Sequence, residues 1–265
     1  MKRIIALLVP SAMFCAWAAS AQEMHSHPVP EKLGTVTFPT SCAPKLAHDF
    51  ERAVALLHSF TYTPSEKAFQ DIATADPSCA MAHWGMAMSY FHQLWGPPDS
   101  DELAKGKAEA EKASRLPAKT ERERLFIAAI AAYYHDDHVP PAARAKAYET
   151  AMATAAERFP ADTEVQVFYA LSLIATASMQ DKSHANQKRA GAILEPIYRD
   201  HPDHPGVAHY LIHAYDSAEL APRGLAAARA YSKIAPSAPH ALHMPSHIFT
   251  RLGLWDESIA SNKAA

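Results

Sequence analysis

Histidines in the C-terminal part of the chain are the residues of this sequence best suited to chemistry. The chain has 16 histidines among 265 residues, and seven of them lie between positions 201 and 247. His209 and His213 stand four residues apart, and so do His243 and His247. Because an α-helix turns once every 3.6 residues, two rings at this spacing lie one turn apart on the same helix face. Imidazoles arranged in this way are typical ligands of zinc, copper or iron.

The two histidine pairs are related by a constant offset. His243 follows His209 by 34 residues, and His247 follows His213 by the same number. This offset predicts two equivalent helices with axes roughly 8–10 Å apart, so that four rings face one another across a shared cleft. The sequence therefore predicts one metal site built from both pairs, with all four rings partly open to that cleft.

Two further residues extend the candidate ligand set. His240 lies three residues before His243, and Asp216 continues the helix face of His213. Asp216 is either another ligand or an acceptor that orients one of the rings. Pro245 complicates the second pair, because proline inside a helix removes one backbone hydrogen bond. Either the helix is kinked there, or it begins at Pro245 and leaves His240 and His243 in the preceding turn.

The same histidines allow other interpretations. Histidines on a helix are more often packed or solvated than bound to metal, and a repeated pair is also what a duplicated structural unit produces. The rings could instead line a polar groove for a peptide carboxylate, or form a pH switch. Catalysis at a bound metal needs an open coordination position and a nearby acid or base, for which Tyr210, Tyr215 and Asp216 are the local candidates. The sequence leaves these alternatives open.

The N-terminus indicates export from the cell. Lys2 and Arg3 precede an apolar stretch over residues 4–19, and Ala19-Ser20-Ala21 is typical of a signal-peptidase site. Residues 1–21 are therefore predicted to be a secretory signal peptide, which places the mature protein in the periplasm or outside the cell. No second apolar run is long enough to span a bilayer. After removal of residues 1–21 the chain has two cysteines, Cys42 and Cys79. They are predicted to form a disulfide in the oxidising compartment outside the cytoplasm, because no Cys-x-x-Cys spacing supports a thiolate site.

Composition predicts an all-α protein. The sequence has 54 alanines and only 8 glycines, and alanine is the best helix former. A net charge of −3 and the lack of a long basic run argue against nucleic acid as a ligand. Residues 22–44 are predicted to be an extended, partly disordered lead-in. Amphipathic patterns after it predict helices over roughly 45–60, 65–76, 80–95, 101–115, 119–135, 140–158, 163–178, 184–200, 206–216, 221–234 and 246–253.

A 34-residue period is also visible outside the histidines. Pro202 and Pro236 are 34 residues apart, and each closes an alanine-rich helix. Over residues 45–265 the sequence resembles the tetratricopeptide repeat family, with Gly253-Leu254-Trp255 matching the turn between the two helices of a repeat. The stretches DPSCAMAHWGMAMSYFHQLW, HPGVAHYLIHAYD and HALHMPSHIFTRLG look like those of a group of secreted bacterial tetratricopeptide proteins.

The resemblance implies a right-handed α-solenoid of about five helix pairs. The first helices of the pairs would line a concave groove that binds a protein or peptide partner, and the histidine pairs would face that groove. Trp84, Tyr90 and Trp95 are weaker candidates for groove aromatics, since aromatic residues at helical spacing are usually core. Residue 265 falls inside the second helix of a repeat, so either the natural chain continues or an oligomer covers that end. We expect an exported binding or scaffold protein with a histidine-rich metal site; the alternative is an oxidative or hydrolytic metalloenzyme using the same histidines.

Overall fold

Helices form all the regular secondary structure that is described in this protein. The computed structural model describes residues 30–136 and 138–265, so the predicted signal peptide over residues 1–21 lies outside it. The chain divides into Met1–Glu31 and Lys32–Ala265, and the description below concerns the second unit. After a short 3₁₀ helix over Pro44–Leu46, its helices are α1 (Ala47–His58), α2 (Tyr62–Ala75), α3 (Ala80–Ser89), α4 (Ser100–Arg115), α5 (Glu121–Tyr134), α6 (Pro141–Arg158), α7 (Thr163–Ala175), α8 (Ala185–Asp200), α9 (Pro205–Ala214), α10 (Ala221–Ile234), α11 (Pro239–His243), α12 (Pro245–Arg251) and α13 (Trp255–Ala264).

The helix boundaries follow local sequence signals. Asp99 and Thr120 begin α4 and α5 with capping boxes, in which the cap side chain and a glutamate three residues later exchange hydrogen bonds with the backbone. Most predicted helices end within a few residues of the observed ones. The pattern over 80–95 is the exception, because α3 ends at Ser89 and a turn follows. In that turn His92 adopts a positive φ of 50°, which an α-helix does not allow.

The helices pack in consecutive pairs, as predicted for an all-α chain of helix pairs. In each pair an odd-numbered helix contacts the next even-numbered one, from α1 with α2 to α9 with α10, and α12 then contacts α13. Odd-numbered helices also contact one another: α1 meets α3, α3 meets α5, and α7 meets α9. In addition, α1 contacts α9, far along the chain. The odd-numbered helices therefore surround a common interior.

Aromatic side chains fill this interior. Phe38, from the segment before α1, lies 5.4 Å from Trp84 and 5.2 Å from Phe126 between ring centroids. Phe168 of α7 lies 5.5 Å from the same Trp84. The prediction of Trp84 as a groove aromatic is wrong, since its side chain is 0% exposed. The first helices come close enough to share one core, so Trp84 faces other rings and not solvent.

The segment before α1 is part of this core. Its described residues, from Pro30 onward, contain no helix before Pro44, and Leu33, Val36 and Phe38 are buried. The backbone N–H of Thr35 donates to the carbonyl oxygen of Asp203 at 3.1 Å. The predicted lead-in over residues 22–44 is therefore extended in its described part, and this part is packed against the helices, not disordered.

A disulfide joins the beginnings of the first two helix pairs. Cys42 precedes α1 and Cys79 is the residue before α3, and the structure links them with Cα atoms 4.8 Å apart. This separation lies within the usual range of about 4.4–6.8 Å for disulfides. The disulfide is the one predicted from the sequence.

Candidate metal centre

Helix α9 places two imidazoles side by side. His204 caps the helix by accepting a hydrogen bond from the backbone N–H of Val207, and Pro205 occupies the first helical position, where a missing N–H costs nothing. One and two turns further on, His209 and His213 share a face. Their Nε2 atoms lie 3.0 Å apart.

A third imidazole reaches the same point from α11. The Nε2 atom of His240 lies 3.1 Å from that of His209, and the ligand atoms of His209, His213 and His240 all lie within 4.8 Å of one another. Two nitrogens bound at about 2.0–2.1 Å to one ion are separated by roughly 3–3.4 Å. Both distances from His209 match this spacing, and we call these three rings the tri-histidine group. His240, predicted only as an additional candidate, is one of its central members.

The tautomer of His209 is fixed from outside the group. Its Nδ1 atom lies 2.6 Å from the backbone carbonyl oxygen of His58, at the end of α1. A carbonyl oxygen only accepts, so Nδ1 carries the hydrogen and the neutral ring directs the lone pair of Nε2 toward His213 and His240. Metal-binding histidines commonly donate their second nitrogen in this way, which fixes the ring and favours metal binding at the other nitrogen.

His209 is completely buried, which contradicts the prediction that all four rings are partly open. Its ring lies 4.4 Å from that of Phe60, edge to face, and 5.1 Å from that of Tyr231, in a stacked arrangement. These two rings and the carbonyl of His58 hold His209 at the interior side of the site. The other predicted ligands His213, His243 and His247 are half-buried, as expected.

The second predicted pair also brings its rings together. The Nε2 atoms of His243 and His247 lie 3.1 Å apart. On the opposite side of each ring, Nδ1 of His243 lies 2.7 Å from Oδ1 of Asn262, and Nδ1 of His247 lies 2.9 Å from Oδ2 of Asp216. Of the two roles predicted for Asp216, the geometry matches the acceptor that orients a histidine. Burial on its own raises the pKa of Asp216, but hydrogen bonds from His247 and Arg251 lower it to about 2.

Pro245 divides the helical segment that carries His240, His243 and His247. Helix α11 ends at His243 and α12 begins at Pro245, while Met244 between them keeps helical angles of φ −54° and ψ −35°. The backbone N–H of Met244 still donates to the carbonyl oxygen of His240. Of the two predicted alternatives, the structure has the helix that begins at Pro245, with His240 and His243 in the turn before it. His243 and His247 nevertheless remain one turn apart on the same side.

The grouping of the rings differs from the predicted one. The expected set was His209, His213, His243 and His247 around one ion, whereas the structure gives the tri-histidine group and a separate pair. Among the described residues, the ligand atoms of His209, His213 and His240 lie within 4.8 Å of one another, whereas neither His243 nor His247 belongs to any group of three or more ligands at that spacing. The carbonyl of His58 holds His209 on one side, and Asn262 and Asp216 hold His243 and His247 on the other. We call His243 and His247 the di-histidine pair.

Phe60 forms an apolar wall against the tri-histidine group. Its ring centroid lies 4.4 Å from that of His209, 5.4 Å from His240 and 5.8 Å from His213. The backbone of Phe60 has φ +52°, a region that bulky residues rarely adopt. Because Phe60 lies 149 residues before His209 in the sequence, no spacing pattern pointed to it, and the sequence analysis missed it.

Of the predicted groove aromatics, Trp95 lies at the site. Its side chain is 57% exposed, and its ring contacts those of His240 and Phe60 at centroid distances of 5.3 and 5.9 Å. Tyr90, in contrast, is half-buried and donates its hydroxyl hydrogen to Glu66. An exposed tryptophan therefore borders the tri-histidine group on its solvent side.

Burial keeps the tri-histidine group in the form that binds metal. Burial, together with the neighbouring histidines, lowers the pKa of His213 to about 3 and that of His240 to about 4. The pKa of His209 is lowered as well, for the same reasons. The three rings are therefore neutral at pH 7, and a neutral imidazole is the form that coordinates a metal.

A second cluster of titratable side chains is buried next to the tri-histidine group, to which His58 connects it. The sequence analysis missed this cluster. Glu164 bridges two buried histidines: Oε2 lies 2.9 Å from Nε2 of His58, and Oε1 lies 2.8 Å from Nε2 of His204. The remaining nitrogen of His58 lies 2.9 Å from the hydroxyl of Tyr210, and that of His204 accepts from Val207. Burial alone raises the pKa of Glu164, but the two histidines lower it well below the usual range.

This Glu164 cluster has the geometry of a hydrogen-bonded network. Each ring nitrogen of His58 and His204 has a protein partner, so the cluster is satisfied without an ion. It joins the end of α1 to the beginnings of α7 and α9. Because the carbonyl of His58 is the acceptor for His209, the network also fixes the position of the tri-histidine group.

No protein-family model matches the chain, and no match is found among curated proteins. In the part of the chain that the structure describes, no helix combines the length and the apolar character needed to cross a membrane.

Proposed function

We propose that this chain is an exported, tetratricopeptide-like helical protein that binds a divalent transition metal and serves as a binding or scaffold protein for a protein or peptide partner. The metal ligands are His209, His213 and His240, and zinc, copper and iron are the candidate ions. The observation that carries the proposal is that the Nε2 atoms of His213 and His240 lie 3.0 and 3.1 Å from Nε2 of His209, whose lone pair the His58 carbonyl directs toward them.

The donor set agrees with these metals. Imidazole nitrogens suit zinc, copper and iron, whereas magnesium and calcium prefer oxygen ligands. The cysteines supply no thiolate here, because Cys42 and Cys79 are joined to each other. A metal bound to all three rings would accept one nitrogen lone pair from each of them.

Several contacts favour binding over catalysis. The hydroxyl of Tyr210 is hydrogen bonded to His58, and that of Tyr215 donates to Glu195 at 2.6 Å. Asp216 is engaged by His247 and Arg251. The acid and base candidates predicted from the sequence are therefore held in other interactions. The exposed ring of Trp95 beside the site offers the kind of aromatic surface that is enriched at protein interfaces.

One feature supports the metalloenzyme as a second candidate. Three protein ligands with an open fourth position are the arrangement of catalytic zinc sites. His213 and His240 are half-buried, so the ion has room for water or substrate on their side. An oxidative or hydrolytic reaction at this position is thus the alternative to scaffolding.

Metal analysis of the full chain, purified without an affinity tag, tests the proposal. We expect at least one tightly bound ion per chain after loading and dialysis, and the loss of this ion in His213→Ala. The control is His48→Ala, whose side chain is 91% exposed on α1 and remote from the tri-histidine group in the sequence. Unchanged metal content in His213→Ala, with helicity retained by circular dichroism, would overturn the proposal.

Ligand addition to the protein loaded with a single equivalent of Cu²⁺ per chain, which fills the tightest site, separates the two candidate functions. Azide that binds at an open coordination position changes the absorption spectrum of Cu²⁺, and this result favours the enzyme. An unchanged spectrum indicates a closed coordination sphere and favours the scaffold.

A further inference from the structure

We infer that the di-histidine pair, His243 and His247, binds a second divalent transition-metal ion next to the one held by the tri-histidine group. The inference rests on the proposed function, because it extends one metal site to two. It differs from the single four-histidine site expected from the sequence in assigning each group of rings its own ion.

The hydrogen-bond partners of the pair determine where its hydrogens lie. The side-chain nitrogen of Asn262 donates to the carbonyl oxygen of Ser258 at 3.0 Å, so its oxygen is the atom that faces Nδ1 of His243. The carboxylate of Asp216 faces Nδ1 of His247. Both partners are acceptors, and each Nδ1 therefore carries a hydrogen. In the neutral rings both Nε2 atoms carry lone pairs.

The two Nε2 atoms that carry these lone pairs lie 3.1 Å apart. Two acceptors at this distance repel unless a cation is shared between them. A divalent metal satisfies both at once, and a separation of roughly 3–3.4 Å matches two nitrogens bound at about 2.0–2.1 Å to one ion. The backbone through Met244 holds the two rings one turn apart, so binding requires little rearrangement. A shared proton is the alternative occupant, and the experiment below distinguishes it from a metal.

The second site differs from the first in ligand number and exposure. It has two protein ligands, both half-buried, whereas the tri-histidine group has three, one of them fully buried. The second ion therefore keeps positions open to water or to an oxygen or nitrogen donor from outside. We expect it to bind more weakly and to exchange faster than the first ion. Ring centroids 6.1–6.5 Å apart across the two groups make the two ions close neighbours.

Calorimetric titration of the metal-free full chain with Zn²⁺ tests this inference. We expect two ions per chain in two affinity classes. His247→Ala should remove the weaker class and keep the tighter one, and His213→Ala should do the reverse. His243→Ala is the second variant for the pair, to be used if His247→Ala does not fold. His25→Ala combined with His27→Ala serves as the control for binding by histidines outside the described residues.

Electron paramagnetic resonance with Cu²⁺ tests the proximity of the two ions. Two neighbouring Cu²⁺ ions give dipolar broadening and a half-field signal, which both His213→Ala and His247→Ala should abolish. Saturation at one ion that either variant removes would overturn the second site and leave the proposed function intact. Binding of two ions by both His243→Ala and His247→Ala would also overturn the second site. If a proton is shared between the two rings instead of a metal, the weaker affinity class should be absent from the wild-type titration. Binding of no ion at all would overturn the proposed function itself.

Discussion

Nδ1 of His209 donates a hydrogen bond of 2.6 Å to the backbone carbonyl of His58, a residue 151 positions earlier in the chain. This contact connects the candidate metal centre to the end of α1. It also makes the position of α1 relative to α9 a determinant of ligand geometry, because a shift of His58 moves the acceptor that fixes the His209 ring.

Gly206→Ala should damage the contact between α9 and His58. A Cβ atom at Gly206 lies 2.6 Å from Nδ1 of His58, too close for an unaltered structure. Glycine to alanine inside a helix normally stabilises by roughly 0.5–1 kcal/mol, but here we expect a loss of about 1–3 kcal/mol in the free energy of unfolding. Urea unfolding measures this change, and zinc affinity should fall with it. Increased stability would show that α9 does not need the close approach.

Glu164→Gln should destabilise the protein in a pH-dependent way. A glutamine cannot accept from both His58 and His204 with equal strength, and we expect a loss of about 3 kcal/mol at pH 7, typical of a broken buried pair. The folded pKa of Glu164 is depressed, so its contribution is present above the unfolded pKa of about 4.3 and is lost as the pH falls below that value.

The measurement for Glu164 is unfolding free energy against pH for the wild type and the variant. The difference between them should be constant from pH 7 to about 5 and shrink at lower pH. A difference that does not change down to pH 3 would mean that the charge of Glu164 does not stabilise the fold.

Phe60→Gly and Phe60→Ala should both destabilise the protein, and Phe60→Ala should do so more. Both variants lose the ring that covers the tri-histidine group, which we expect to cost about 3–5 kcal/mol. Because φ is +52° at this position, glycine should be more stable than alanine by about 1 kcal/mol. Thermal unfolding of both variants measures the order. The reverse order would contradict a strained backbone at Phe60.

Removal of the disulfide should lower stability and leave the metal centre intact. The double variant Cys42→Ser, Cys79→Ser opens a loop with a sequence separation of 37 residues, which corresponds to about 4 kcal/mol in the chain-entropy model. The disulfide lies before α1 and α3, whereas the metal ligands lie on α9, α11 and α12. Chemical unfolding measures the first effect and zinc titration the second. A large loss of zinc affinity in the folded variant would show that the two regions are coupled.

Asn262→Leu should weaken the second metal site selectively. The variant removes the acceptor that fixes Nδ1 of His243, and loss of such an outer partner typically costs 10–100-fold in metal affinity. The tri-histidine group has its own acceptor, the His58 carbonyl, and should be unaffected. Zinc titration separates the two classes. An equal effect on both classes would argue that the five rings act as one site.

The sequence by itself determined the helices and the local histidine pairs. Alanine content, proline positions and capping residues such as Asp99 and Thr120 act within a few residues, and so does the spacing of His209 with His213 and of His243 with His247. These features depend on the geometry of a single helix, which is the same wherever the helix packs.

Tertiary structure decided how the rings are grouped and what surrounds them. His240 joins His209 across 31 positions of the sequence, with Nε2 atoms 3.1 Å apart, and His58 and Phe60 reach the site because α1 contacts α9. Trp84 points into a core for the same reason, since its ring meets Phe126 of α5 and Phe168 of α7 and is 0% exposed. Contacts between residues about 150 positions apart depend on how all the helices between them pack, and no local pattern in the sequence specifies that packing.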